Sequence, residues 1–220
     1  MSLESDLATL RAGMLQKMPA ETREKISSAN AKFQASYDPK AAIQVGDILP
    51  AFRLQDALGK EVTRDELLAR GTLLITFYRG GWCPYCNLAL RSLHLNTDKF
   101  KAKGVTLVAI SPELPDASLS TAEKHDLHFT VLSDVGNKLA NELGILFTQD
   151  DSLRPIYQSF GFDLKKHNGD DSFAVPVPAT LLVDQKGVVK NTFVETDYTK
   201  RLEPTTALKW IDELKKQDRV

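Results

Sequence analysis

The chain has 220 residues, a formal net charge of -1, 42% hydrophobic and 26% charged residues, the profile of an ordinary globular domain with a short extension. The balance of 28 basic against 29 acidic side chains argues against a nucleic-acid binder, which carries a marked basic excess. Two cysteines, Cys83 and Cys86, are too few for a secreted disulfide framework or for a four-ligand zinc site within one chain.

The opening stretch MSLESDLATLRAG lacks the apolar core of a signal peptide. The apolar runs also fall well short of the roughly 20 residues of a membrane helix, so a cytoplasmic protein without membrane contact is expected. Leu3, Leu7, Leu10 and Met14 recur at helical spacing and predict a helix with a coiled-coil-like seam. A second helix is expected from Glu21 towards Phe33, with Thr22 as its cap. Residues 1–44 therefore read as a helical arm. Short helices need tertiary partners, which favours an arm packed on its own domain; the alternative is a homodimer formed through it.

Residues 45–220 read as one α/β domain. Phe52 and Leu54 alternate with polar residues and predict a strand, with a turn at 56–60 and a return strand at Val62. A short helix starting at Thr63 or Asp65 ends before Gly71. TLLITFY at 72–78 is apolar on both faces, which marks a central buried strand. One helix is expected from Asn87 to about Lys103, a second buried strand at 105–110, a helix at 118–125, a strand at 129–132 and a helix at 138–143. Residues 147–174 are polar and irregular, an insertion with one or two helical turns. A hairpin follows, with strands at 180–183 and 188–194, then an amphipathic helix at 205–216 presenting Leu208, Ile211 and Leu214. Strands alternating with helices predict a layered fold with helices on both sheet faces.

Cys83 and Cys86 fall where the central strand gives way to a helix, behind Gly80, Gly81 and Trp82. Unpaired N–H groups and the helix dipole converge there and favour a thiolate. Three-residue spacing within one turn brings both sulfurs to one side. Pro84 suits a first helical position, where its missing N–H is not needed. Trp82 offers an apolar shelf, and Arg79 a positive charge near the sulfurs. Half of a zinc site reads the same way, but His94, His125, His128 and His167 show no ligand spacing on a clear helix face. Phe160, Phe162 and Phe173 either anchor the insertion or form an apolar lid over the cysteines.

Residues 45–194 resemble the peroxiredoxin-like branch of the thioredoxin superfamily, the alkyl hydroperoxide reductase and thiol-specific antioxidant proteins. The stretches that carry the resemblance are VGDILPAFRL from Val45, TFYRGGWCPYC from Thr76, ISPE from Ile110, AEKHDLHF from Ala122, LSD from Leu132 and PATLLVDQKG from Pro178. The resemblance implies a thioredoxin-like fold. The chain departs from the family's P-x-x-x-T-x-x-C: Arg79 stands at the proline, Cys83 at the threonine and Cys86 at the peroxidatic cysteine. Pro178 stands where the family has an arginine. Cys-Pro-Tyr-Cys is similar to the glutaredoxin site, and Pro178-Ala179-Thr180 to the thioredoxin segment whose proline follows a cis bond beside the disulfide.

Two mechanisms are implied. In one, Cys86 attacks a hydroperoxide, becomes a sulfenic acid and closes a disulfide with Cys83 that a thioredoxin- or glutaredoxin-type reductant reopens. In the other, Cys83 attacks a protein disulfide and Cys86 resolves the mixed disulfide. The first is favoured by the whole-domain resemblance and needs no cofactor. A third reading, an iron–sulfur cluster shared between two subunits, follows from the glutaredoxin-like pair.

Overall fold

Ser2 opens the first helix by accepting the Ser5 N–H on its hydroxyl, and α1 runs over Leu3–Lys17. We describe the chain from a computed structural model that covers residues 2–124, 127 and 129–217. The second arm helix, α2, spans Ala20–Ser36, with Pro19 at its cap position; Thr22 lies inside the helix and does not cap it. The α1 seam faces the chain's own body. Leu3 and Leu7 are buried in one cluster with Tyr78, Tyr85 and Cys86, and Leu10 and Met14 pack at its margin. α2 fully buries no residue; it is held by Phe33 stacked on Phe147 at 4.1 Å and by Lys32 paired with Asp150 at 3.1 Å.

The predicted hairpin forms as β1 (Arg53–Asp56) and β2 (Glu61–Thr63). Thr63 then caps α3 (Arg64–Leu68) in a reciprocal box with Glu66. The central strand is β3 (Thr72–Phe77). The expected helix from Asn87 to Lys103 is two helices, α4 (Pro84–His94) and α5 (Thr97–Ala102). The Asn96 side chain donates to the Ser92 carbonyl at 2.9 Å, taking the acceptor that the Asn96 N–H would use in a continuous helix. Then follow β4 (Val105–Ser111), α6 (Pro115–Lys124), β5 (Thr130–Ser133) and α7 (Lys138–Glu142). The expected end of α6 at His125, and the candidate ligands His125 and His128, lie outside the described residues.

The insertion carries more structure than its polarity suggests. It contains β6 (Leu146–Thr148), a 3-10 turn at Asp151–Leu153, α8 (Arg154–Ser159), α9 (Leu164–Asn168) and β7 (Ala174–Pro176), with β6 and β7 paired as a small second sheet. The chain closes with β8 (Ala179–Val183), β9 (Val189–Val194) and α10 (Pro204–Gln217).

The main sheet has seven strands in the order β2-β1-β5-β4-β3-β8-β9. β3 pairs in parallel with β4 and antiparallel with β8, a mixed sheet that agrees with the thioredoxin-like fold. Strand alternation sends Leu73, Ile75 and Phe77 into the cluster under the hairpin and α7, and Leu74 and Tyr78 to the other face, against α10 and α4. Each fully buried side chain of β3 stabilises the fold by about 1.5–3 kcal/mol. Among the described residues no helix is long and apolar enough to cross a membrane.

Candidate active site

The end of β3 and the start of α4 place the cysteine pair as the sequence predicts. Cys83 is the cap residue of α4, Pro84 opens its first turn, and Cys86 sits in that turn. The preceding loop is tightly held. Cys83 donates its N–H to the Gly80 carbonyl at 3.1 Å, Asn87 bonds the Gly81 carbonyl at 2.9 Å, and the buried Glu113 carboxylate accepts the Gly81 N–H at 2.9 Å. Gly80 has φ +142, and a Cβ there would lie 2.3 Å from the Trp82 indole nitrogen. Only glycine lets the loop pass under that ring.

Both sulfurs are free thiols, and both are buried, at 1% exposure for Cys83 and 0% for Cys86. Their environments push them apart. Burial raises Cys86, but the Cys83 thiol hydrogen-bonds to it, the charges of Arg201 and Arg79 face it, and it accepts the Arg79 backbone N–H; together these bring it down to about 5. Cys83 is held well above its ordinary value by burial, by that same hydrogen bond and by the neighbouring thiolate, against the two arginines. The pair therefore holds one proton near neutrality, on Cys83.

Arg79 reaches the site, as its position beside the loop suggested. It is 2% exposed, and its guanidinium lies between the rings of Trp82 and Tyr198, at 4.8 and 4.5 Å. It donates to Gln149 at 2.7 Å and to the Tyr157 hydroxyl. Burial opposes its charge, but Tyr157 and the two cysteines more than compensate, so it stays firmly protonated. Trp82 forms the apolar wall, in ring contact with Tyr157 at 5.5 Å and Phe162 at 5.4 Å. Phe162 and Phe173 join this cluster, whereas Phe160 is 37% exposed.

Pro178 directly precedes Ala179, the β8 residue paired with Phe77 at the end of the strand that leads to the cysteine loop. There is no cis peptide bond among the described residues, so Pro178 follows a trans bond, contrary to the thioredoxin-like expectation. Its carbonyl accepts the Glu195 N–H at 3.1 Å, and the Thr180 hydroxyl meets that of Thr76 at 3.2 Å. Pro178 thus ties β8 to the segment after β9, and Thr180 ties β8 to β3.

The residue that sequence reasoning missed is Arg201. Its guanidinium donates to Cys86 Sγ at 3.1 Å, while its other nitrogen holds the carbonyls of Tyr198 and Lys200. It comes from the segment 195–203, which carries no motif. Tyr198, from the same segment, meets Tyr85 edge-on at 5.6 Å. Glu113 lay within the ISPE stretch, but nothing local marked it as the acceptor for the loop. It also meets His167 Nδ1 at 3.3 Å, which ties α9 to the cysteine loop.

Comparison with known proteins agrees with this geometry. Residues 45–192 match the AhpC/TSA family. Peroxiredoxin Bcp of Escherichia coli is 32% identical over 103 residues, covering 47% of this chain and 65% of that protein. A chloroplastic peroxiredoxin Q of Gentiana triflora is 31% identical over 105 residues, 48% of each chain. The chain thus spans less than two thirds of the length of these curated relatives. The crystal structure of peroxidoxin BcpB from Mycobacterium tuberculosis superposes with a TM-score of 0.61 at 18% identity, covering 78% of this chain and 97% of that one. The chain belongs to the AhpC/TSA family.

Proposed function

We propose that the chain is a thiol peroxidase that reduces hydroperoxides through Cys86 and closes a redox-active disulfide with Cys83. The observation that carries this reading is the placement of cations at one sulfur: the Arg201 guanidinium donates to Cys86 Sγ at 3.1 Å, and with Arg79 it favours the thiolate there, while burial and the neighbouring sulfur keep the proton on Cys83. The Cys86 thiolate attacks the terminal peroxide oxygen, the O–O bond breaks, and Cys86 becomes a sulfenic acid. The leaving alkoxide takes a proton, for which the Cys83 thiol is the nearest source. Cys83, now a thiolate, then displaces hydroxide from the sulfenic acid to form the disulfide, and a proton from solvent converts the hydroxide to water. A thioredoxin- or glutaredoxin-type dithiol supplies the two electrons that restore the thiols. Such a cycle suits a reducing compartment such as the cytoplasm.

The protein disulfide reductase reading requires Cys83 to be the exposed thiolate, and here it is buried and protonated. The same burial opposes an iron–sulfur cluster shared between subunits, which needs sulfur at the surface. The arm seam is spent on the chain's own α4, which favours a role within one protomer over a dimer handle. The test is stoichiometric: without reductant, the wild-type protein should consume one equivalent of hydroperoxide and lose two titratable thiols. Unchanged thiols after peroxide, together with reduction of a protein disulfide, would replace this reading with the reductase one.

A further inference from the structure

Both sulfurs are closed off, Cys83 at 1% exposure and Cys86 at 0%, yet the disulfide of the proposed cycle has to be reopened from outside. In that step a thiolate of an external dithiol bonds to one sulfur, the Cys83–Cys86 bond breaks, and its electron pair leaves on the other sulfur, which takes a proton. The second thiol of the reductant then attacks the mixed disulfide, the oxidised dithiol departs, and both cysteines are returned reduced. Sulfur must touch sulfur, so a covering element has to move. Over Cys83 that cover is the insertion between β6 and β7. Tyr157 of α8 lies within reach of the Cys83 charge and, with Phe162, packs on the Trp82 ring at 5.5 and 5.4 Å.

One joint fastens this insertion to the cysteine loop. Glu113, 0% exposed, accepts the Gly81 N–H on one oxygen at 2.9 Å, and its other oxygen meets His167 Nδ1 of α9 at 3.3 Å. That second oxygen has no other hydrogen-bond partner among the described residues. The His167 carbonyl accepts the Leu114 N–H at 2.8 Å, so α9 docks here by side chain and backbone together. Tyr78 faces Glu113 from the end of β3, and Asp163 and Lys166 face His167 with opposite signs from its own helix and cap. The nearby Arg154 and Lys165 are taken up by Asp171. The contact with Glu113 outweighs partial burial and holds His167 protonated above its ordinary range.

We propose that Glu113 and His167 form a proton-operated latch: protonated His167 holds the insertion closed over Cys83, and its deprotonation frees the insertion to admit a dithiol. The inference rests on the dithiol–disulfide cycle and names its regulation. The ion pair is present at low pH and is lost as pH rises through the His167 range. Hydrogen peroxide is far smaller than a dithiol and needs no such opening, so the latch acts on the reductive half of the cycle.

The test compares the full-length wild type with His167→Ala and His167→Gln, each first closed to the disulfide with diamide, so that peroxidase activity is not required. Reduction by dithiothreitol is followed across pH, and the variant-to-wild-type ratio at each pH cancels the dithiol's own ionisation. Losing a partly exposed ion pair should speed reduction by up to about five-fold near about pH 6, with the ratio falling to one as pH rises past the His167 range. The rate of hydrogen peroxide consumption should not change. A ratio of one at acid pH, a ratio that does not vary with pH, or an equal gain in the peroxide rate overturns the latch. If the wild type consumes no hydroperoxide, the peroxidase reading fails separately and the diamide-closed disulfide still decides the latch. If diamide leaves both thiols free, iodoacetamide labelling of the reduced proteins replaces it: the same pH-dependent gain in the variants supports the latch, and its absence overturns it.

Discussion

Residues 45–192, the part shared with the family, form most of a sheet whose interior is apolar and sealed: Leu73, Leu74, Ile75, Val108 and Ile110 are all at 0% exposure. Outside that span α10 seals one face of the sheet with Ala207, Ile211 and Leu214, whereas the arm and 193–203 bury only a few side chains deeply, among them Leu3, Leu7 and Leu202, and hold on by aromatic edges, single ion pairs and Arg201. The first region supplies the strand–helix junction that every fold of this kind offers. The second supplies a cover over the sulfurs and an arginine on one of them.

The largest effect expected is on the sulfurs themselves. Cys86→Ser should remove peroxide consumption altogether, while Cys83→Ser should give a single turnover and then stall, read as peroxide consumed per protein with and without a dithiol. On stability the two regions should separate clearly. Phe100→Ala in the sealed core should cost about 3–5 kcal/mol in denaturant unfolding, whereas Leu7→Ala under the arm should fall at the lower end of the 2–5 kcal/mol range for leucine, because the arm can settle onto the gap. Equal losses would mean that the arm is as integral as the sheet.

Much of the core was legible in the sequence because its signals are local. A short apolar run mixing β-branched and aromatic residues between glycines reads as a buried strand, a threonine or aspartate ahead of an apolar pair starts a helix, and Cys-Pro-Tyr-Cys after two glycines marks the junction. The rest was illegible for physical reasons. The break at Asn96 depends on a side chain replacing one backbone donor. β6 and β7 exist only because each finds the other. Arg201 sits 115 residues from Cys86 in a polar stretch, and only the fold brings them together. The trans bond at Pro178 shows the reverse: its sequence motif resembles that of thioredoxin, but the backbone beside it does not follow.

Arg201→Gln sharpens the division between core and cover. Losing a cation beside the thiolate should raise Cys86 by about 1–3 pH units and slow the reaction at neutral pH by up to about ten-fold, with the loss recovered as pH rises. A rate that falls equally at all pH values would make Arg201 a structural clasp only.

The dithiol should also tilt stability with pH. The folded pair keeps one proton from about 5 upward, on Cys83, while the unfolded thiols titrate near 9. From pH 5 to 9 the unfolded chain therefore holds more protons and stability rises. Above that range the unfolded chain holds fewer, and stability falls. Cys86→Ser should abolish the rise. The smallest effect lies at the edge of the core, where Thr63→Ala should cost about 1 kcal/mol through the lost capping box.

The most direct measurement is to treat Cys83→Ser with hydroperoxide in the presence of a sulfenic-acid trap and locate the adduct by peptide mass spectrometry. A stoichiometric adduct on Cys86 is predicted, forming at a rate that follows the ionisation of Cys86 beside Arg201 and Arg79. No adduct on Cys86, with trapping instead on Cys83 in the Cys86→Ser variant, would contradict the account.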